Sequence, residues 1–438
     1  MWRAYAKGAQ MRARLTGDGA FKTAIIDDLV APHVGKHETV DEFMNAYEAH
    51  LSELQKKLVK ENAYRVPLLQ NLETVSRDGW NSALRSAVSA MHDNNAWPDN
   101  KTGKKLSIGL VRMANIKPAI ETATYLAGEF PQARVACYHS NHLAIQRFCI
   151  EKRLDELLTR KNGYEHILDD KEIRDMLDDP EYSELMLIVV ATPVEEIGRD
   201  HDFDWAVIEP SSAQSIVQTA GRVNRHRLNE NIGKPNISIM RYNLREVGDE
   251  NLVFRWPGLE VKSENKYESH DLGELLDWDN IDIIDARIRF GAHKFAKLDD
   301  ESIERSTENI FASMTSSDTA EKLWMALETY TKSRLRDNEG KKRIELTLKE
   351  PYDKENSFMC REENSNEDPA QRNIKSAIAN VPNAWLAKSD SQLVELARAV
   401  FDGDEYEVDR SMSVSVIANS ASDISRHMSF GFCRDSNS

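Results

Sequence analysis

Between residues 106 and 241, short apolar runs alternate with stretches of helical period. The runs at 106–111, 134–138, 185–191, 205–208 and 236–240 have the length and content of strands. The segments 117–128, 141–158 and 213–225 place apolar side chains at helical spacing, which predicts helices. Residues 185–191, Leu-Met-Leu-Ile-Val-Val-Ala, are apolar without interruption, as a strand covered on both faces must be. Strand and helix in alternation predict an α/β fold, a parallel sheet with helices on both faces. Ligands of such sheets gather at the carboxyl ends of the strands.

The flanks read differently. Residues 1–100 are polar and mainly helical, and within 41–60 Phe43, Tyr47, Leu51, Leu54 and Leu58 recur on one helical face. Turn formers at 93–105 mark a boundary near residue 100. Residues 246–438 are less regular, with a helical stretch near 318–333 and a polar loop near 353–372. A linker and a mixed C-terminal accessory domain are expected there. Its densest basic cluster, Arg334, Arg336, Lys341, Lys342 and Arg343, reads as a solvated hairpin, with the lining of a nucleic-acid channel as the alternative.

Composition narrows the class. Of 438 residues, 40% are hydrophobic and 30% charged, a globular balance. No apolar run reaches the roughly 18 residues of a membrane span, and the first residues lack a signal-peptide core. The four cysteines are far apart with no CxxC pair, which argues against a cysteine zinc site and a disulfide framework and for a cytoplasmic protein. A net charge of −16 argues against a broad basic face that wraps duplex DNA, but leaves room for a narrow basic channel.

Two segments carry the candidate chemistry. The first follows the apolar 185–191 run: Ala191-Thr-Pro-Val-Glu-Glu-Ile-Gly-Arg-Asp-His-Asp-Phe-Asp204. Thr192 is placed to bond a phosphate oxygen of a strand. Gly198 permits positive φ or close backbone approach. Asp200 can accept from a ribose hydroxyl or hold a neighbouring arginine. The second segment is Gln218-Thr-Ala-Gly-Arg-Val-Asn-Arg225. At about 100° per residue on a helix, Gln218, Arg222 and Arg225 fall within roughly 60° of each other. Ala213, Ile216, Val217, Ala220 and Val223 then face the sheet, and Gly221 leaves room for close approach. Two permanently charged guanidiniums aimed outward suit the charge of a transferred phosphate.

Together these segments resemble the last two signature motifs of superfamily 2 helicases. Residues 107–113 sit where the fourth motif belongs, and Tyr138-His139-Ser140 with Arg147 resembles a strand-contacting motif. More narrowly, VEEIGRDHDFDWAVIEP followed by SIVQTAGRVNRHR looks like the CRISPR-associated type I helicase–nuclease, in particular its subtype I-F form with a Cas two-type domain fused ahead of the nuclease. The likeness covers most of 100–245 and extends loosely through the tail. Residues 2–8 look like the helix just after that family's third helicase motif.

The resemblance implies a second RecA-like helicase lobe at 101–245, a helical inter-lobe segment before it and a tail that roofs a channel. It implies ATP with Mg2+ shared with a first RecA-like lobe, single-stranded DNA as track, and recruitment by a CRISPR RNA-guided surveillance complex in antiviral defence. By motif match, Arg222 and Arg225 are the arginine fingers and Gln218 their partner. Gly198, Asp200 and Gly221 serve the nucleotide, and Thr192, His139 and Arg147 serve the DNA. The chain departs from the pattern at Thr219, where many relatives carry arginine, and at Pro193, where many carry glutamine.

A phosphate-cradling P-loop needs Gly-Lys-Ser/Thr. In Gly17-Asp-Gly-Ala-Phe-Lys-Thr23, Phe21 takes the place of the obligatory glycine. Ile25-Ile-Asp-Asp28 mimics a Walker B strand end but leaves no room for the intervening helix. His166 and His201 precede acids without a recognisable metal cluster, so no metal site is expected. The expectation is a chain whose nuclease and first motor lobe lie outside this sequence and which does not hydrolyse ATP alone. Two other readings stand beside it: the half-motor of another superfamily 2 helicase, for repair or RNA, and a non-enzymatic nucleic-acid-binding or interaction module.

Overall fold

A computed structural model describes residues 2–27, 30–58, 64–196, 198–227, 233–244, 269, 271–285, 342–348, 357–363, 368–378 and 381–435. The expected helix at 318–333 and the basic residues Arg334, Arg336 and Lys341 lie outside the described residues.

The chain opens with a small unit: α1 (Trp2–Leu15), an antiparallel pair β1 (Phe21–Ile25) and β2 (His33–His37), and α2 (Val40–Leu58). Ala6, Ala9, Phe21, Ile25 and Phe43 form its core. The periodicity of 41–60 produces α2, but Phe43 is fully buried while Leu51 is exposed. The unit's core is too small to cover the helix's second half.

The central sheet follows. Its elements are β3 (Pro67–Gln70), α3 (Arg77–Asn95), β4 (Trp97–Pro98), β5 (Lys105–Arg112), α4 (Ile116–Glu129), β6 (Arg134–Tyr138) and α5 (Ala144–Leu158). They continue with α6 (Glu165–Asp169), α7 (Lys171–Asp178), β7 (Leu185–Ala191), β8 (Trp205–Ile208), α8 (Ala213–Ala220) and β9 (Ile237–Met240). The strand order is β3-β9-β8-β5-β7-β6, all parallel, with β4 antiparallel on β5. This is a RecA-like sheet, and β7 shows why its strand is apolar throughout. Leu185, Leu187, Val189 and Ala191 enter one core, and Met186, Ile188 and Val190 enter the other. The boundary expected near residue 100 is displaced. β3 pairs with β9, and α3 buries Trp80, Leu84, Val88 and Met91 in the second core. Residues 64–100 therefore belong to the lobe.

The tail holds α9 (Leu272–Leu275), then β10 (Arg343–Leu348), β11 (Ser357–Glu362), β12 (Ala370–Asn373) and β13 (Lys375–Ile378). It ends with α10 (Asp390–Val400), α11 (Glu405–Ser411), β14 (Ser413–Ile417), β15 (Ile424–His427) and β16 (Gly431–Arg434). A four-stranded antiparallel sheet, β12-β11-β10-β14, and a three-stranded one, β13-β15-β16, result. Two regions stand out among the contacts that fasten the tail to the lobe. Asn383 donates to the carbonyls of Ala127, Phe130 and Ala133, each at 3.1 Å, and Trp385 fills the first core. At the second, Phe430 and Cys433 enter the other core, and Gly431 at φ 91° passes so close that a Cβ there would sit 2.7 Å from the Asn141 carbonyl.

The helix expected over 213–225 stops at Ala220. Beyond Gly221 the chain turns to pair with Phe203. Phe203 N–H donates to Arg222 O at 2.8 Å, Asn224 N–H donates to Phe203 O at 3.1 Å, and Asn224 takes φ 49°. These bonds and the complete burial of Val223 outweigh continued helix.

Candidate nucleotide and nucleic-acid site

The loop after β7 leaves the carboxyl edge of the sheet through Thr192, which is 4% exposed and donates its N–H to Tyr138 O at 3.1 Å. A 3-10 turn, Pro193–Glu195, follows. Gly198 then takes φ 69°, a conformation that disfavours any residue with a Cβ. The loop rejoins the sheet as Asp204 N–H donates to Ile108 O at 2.9 Å.

The three alternating acids diverge. Asp204 is buried and accepts from Arg160 at 2.6 Å, Arg227 at 3.0 Å and Ile108 N–H at 2.7 Å. Burial works to raise its pKa, but the Arg160 and Arg227 charges outweigh this and hold it below the usual value. Asp202, also buried, takes the Arg227 fork at 2.9 Å on both sides and the N–H of Arg225 at 2.9 Å. Asp200 is the member that reaches solvent. Lys161 at 2.5 Å, Arg225 at 2.7 Å and His226 at 3.0 Å surround it and push its carboxyl far below the usual range.

Arg222 and Arg225 do not share the outward face that a continuous helix would give them. Arg222 is 7% exposed and turned inward. Its Nε donates to Glu195 O at 3.0 Å, its Nη2 to Glu196 O at 2.7 Å and its Nη1 to Arg199 O. Burial, then the charge of Arg225, lowers its pKa. Arg225 stays part-exposed, with Nε on Asp200 and Nη1 3.4 Å from Gly221 O. Gln218 is half-buried on the last turn of α8.

Beside these loops, a cleft of about 1000 Å3 lies between the carboxyl edge of the sheet and the tail. Thr192, Lys117, Arg147 and Glu121 line it from the lobe, and Arg343, Arg434, Glu345 and Asp435 line it from the tail. Arg147 also pairs with Glu151 at 3.5 Å. Arg343 begins β10, is exposed, pairs with Glu363 at 3.6 Å and lines this cleft. His139 requires the opposite correction. It is completely buried, stacks on His142 with centroids 4.2 Å apart, and donates to Phe430 O at 2.7 Å. Burial, then the neighbouring His142, drives its pKa well down. It has no surface to offer a strand and serves as a buried tie between lobe and tail.

Two residues tie the site's turn in place. His201, weighed in the sequence only as a metal ligand, lies between Glu195 Oε1 at 2.7 Å and Asp155 Oδ1 at 2.8 Å, inside the protein. Arg112, at the end of β5, donates to Glu196 Oε1 at 2.8 Å and Glu209 O at 2.9 Å. The one available signal was the acid alternation itself, because buried acids demand cationic partners. Among the described residues, no three metal-ligating side chains converge, and no helix is long and apolar enough to cross a membrane.

The fold is thus a RecA-like lobe with two hydrogen-bonded loops at its carboxyl edge. Residues 105–228 match the family described as CRISPR-associated nuclease/helicase Cas3, C-terminal. The CRISPR-associated nuclease/helicase Cas3 of subtype I-F/YPEST from Pseudomonas aeruginosa is 39% identical over 180 residues, and that from Pectobacterium atrosepticum 38% over 184. Each alignment covers 40% of this chain and 16% of the relative, about a sixth of its length. The crystal structure of T. fusca Cas3-ATP aligns at 16% identity over 62% of this chain and 26% of that one, with a TM-score of 0.31, too weak a superposition to carry an argument.

Proposed function

We propose that this chain supplies the second motor lobe and the channel roof of a CRISPR-associated helicase–nuclease that draws single-stranded DNA through the cleft at the expense of ATP. One observation carries the reading: the two motif segments are hydrogen-bonded into a single cluster at the carboxyl edge of the sheet, beside a cleft that both lobe and tail line with charged side chains. The Asp200–Arg225 pair fits a nucleotide held by another lobe, because the Arg225 guanidinium is part-exposed and keeps donors to spare. ATP, with Mg2+ held by the P-loop lobe, supplies the free energy. Arg225 offers charge to the γ-phosphate, Gln218 and Asp200 flank it, and Gly198 and Gly221 let backbone come close. Thr192 and Arg147 hold phosphates of the strand. The relationship to Cas3 supports recruitment by a CRISPR RNA-guided surveillance complex.

Two substitutions test the two faces. In the helicase assembled with its P-loop lobe, Arg225→Ala should lower ATP turnover about a thousandfold. Thr192→Ala should weaken binding of oligo-dT and oligo-dC alike, since a backbone contact reads no base. An unchanged turnover removes Arg225 from the phosphate site. A base-selective loss removes Thr192 from the backbone track.

A further inference from the structure

The turn after β7 is gripped from three sides. Arg112 holds it through the Glu196 carboxylate, His201 through the Glu195 carboxylate, and Arg222 through the carbonyls of Glu195, Glu196 and Arg199. The three residues before those carbonyls, Thr192, Pro193 and Val194, form part of the cleft wall. Arg222 itself comes from the segment that carries Arg225, whose N–H is anchored on Asp202 at 2.9 Å.

We infer that Arg222 is a positioning residue for the strand: it sets the wall formed by Thr192, Pro193 and Val194 by fixing the backbone immediately behind it. The inference rests on the cleft carrying single-stranded nucleic acid. Three of the guanidinium's donors are committed to carbonyls, and a carbonyl left unpaired inside the protein is unfavourable. To swing Arg222 toward a phosphate would free all three carbonyls together. The planar fork matters as well as the charge, because a lysine at this position offers one compact ammonium on a flexible stem and cannot span three separate oxygens. Arg222 also makes a short mechanical link. A ligand that pulls on Arg225 acts on a rigid turn three residues from Arg222, and Arg222 bears directly on the backbone behind the strand-facing wall.

The test uses the whole 438-residue chain and a fluorescein-labelled dT20 oligonucleotide at fixed low salt. Arg222→Lys is expected to weaken binding about tenfold or more, at a temperature where its circular dichroism matches the wild type. Amide exchange should rise at residues 194–200 and stay slow in α4 and α5. Binding within about twofold of wild type would overturn the inference while leaving the cleft reading intact. Failure of the wild-type chain to bind dT20 would instead overturn the cleft reading. If the variant does not fold, the wild type still decides. Saturating dT20 must slow exchange at residues 195–200, which lie behind the wall rather than in the cleft, and no change there overturns the inference.

Discussion

Asp200 and Asp204 carry the same side chain four residues apart and do different work. Asp200 meets Lys161, Arg225 and His226 at the surface, whereas Asp204 is closed in with Arg160 and Arg227. The loop that carries Thr192, Gly198 and Asp200 was legible in the sequence because it directly follows an unmistakable strand. The inward turn of Arg222 was not, because its partners are backbone carbonyls that carry no sequence signature. His139 was misread for a related reason: its partner, Phe430, comes 291 residues later in the chain. At this scale His201 gives a pH dependence of defined sign. Burial works against its charged form, but Glu195 and Asp155 outweigh burial, so its pKa lies above the ordinary value. A raised folded pKa stabilises below the unfolded value, about 6.5, and the contribution fades as pH rises through the folded one. His201→Gln should therefore cost about 3 kcal/mol at pH 6, the order expected for breaking a buried ion pair. The gap should narrow at pH 9. Urea unfolding at the two pH values measures it, and a gap that widens toward pH 9 contradicts the charged-ring assignment.

Among elements, the parallel strands were readable and the joints were not. β5, β6, β7, β8 and β9 each coincide with an apolar run, because strands covered on both faces leave no polar alternative. β3 escaped because it is four residues long and sits on the sheet's edge. β1 escaped because its residues were weighed as a nucleotide loop. Its pairing with β2 accounts for Phe21 at the position where a P-loop needs glycine, since Phe21 fills the small N-terminal core. The hairpin of β15 and β16 depends on Gly431. Alanine there would meet both the left-handed φ and the Asn141 carbonyl, at a cost of about 1–3 kcal/mol from backbone strain with the clash in addition. Gly431→Ala should loosen the hairpin from the lobe and raise protease cleavage within residues 424–434. An unaltered cleavage pattern would place the anchoring elsewhere, at Asn383 and Trp385.

For the molecule as a whole, the cleft matters because its two walls come from distant parts of the chain. Lys117, Thr192 and Arg147 belong to the lobe, and Arg343 and Arg434 to the tail. A net charge of −16 had argued against broad nucleic-acid surfaces, and within this groove four basic side chains from both halves stand with Glu121, Glu345 and Asp435. Only the fold brings Arg343 and Arg147 to the same cleft.

An occupant that touches both walls acts as mortar between them. Lobe and tail cannot separate until it leaves, so its binding free energy is added to the work of parting them. The midpoint for thermal release of the tail, followed by protease cleavage within residues 381–435, should therefore climb with the logarithm of oligonucleotide concentration. A transition indifferent to that concentration would mean that the two walls hold no common guest.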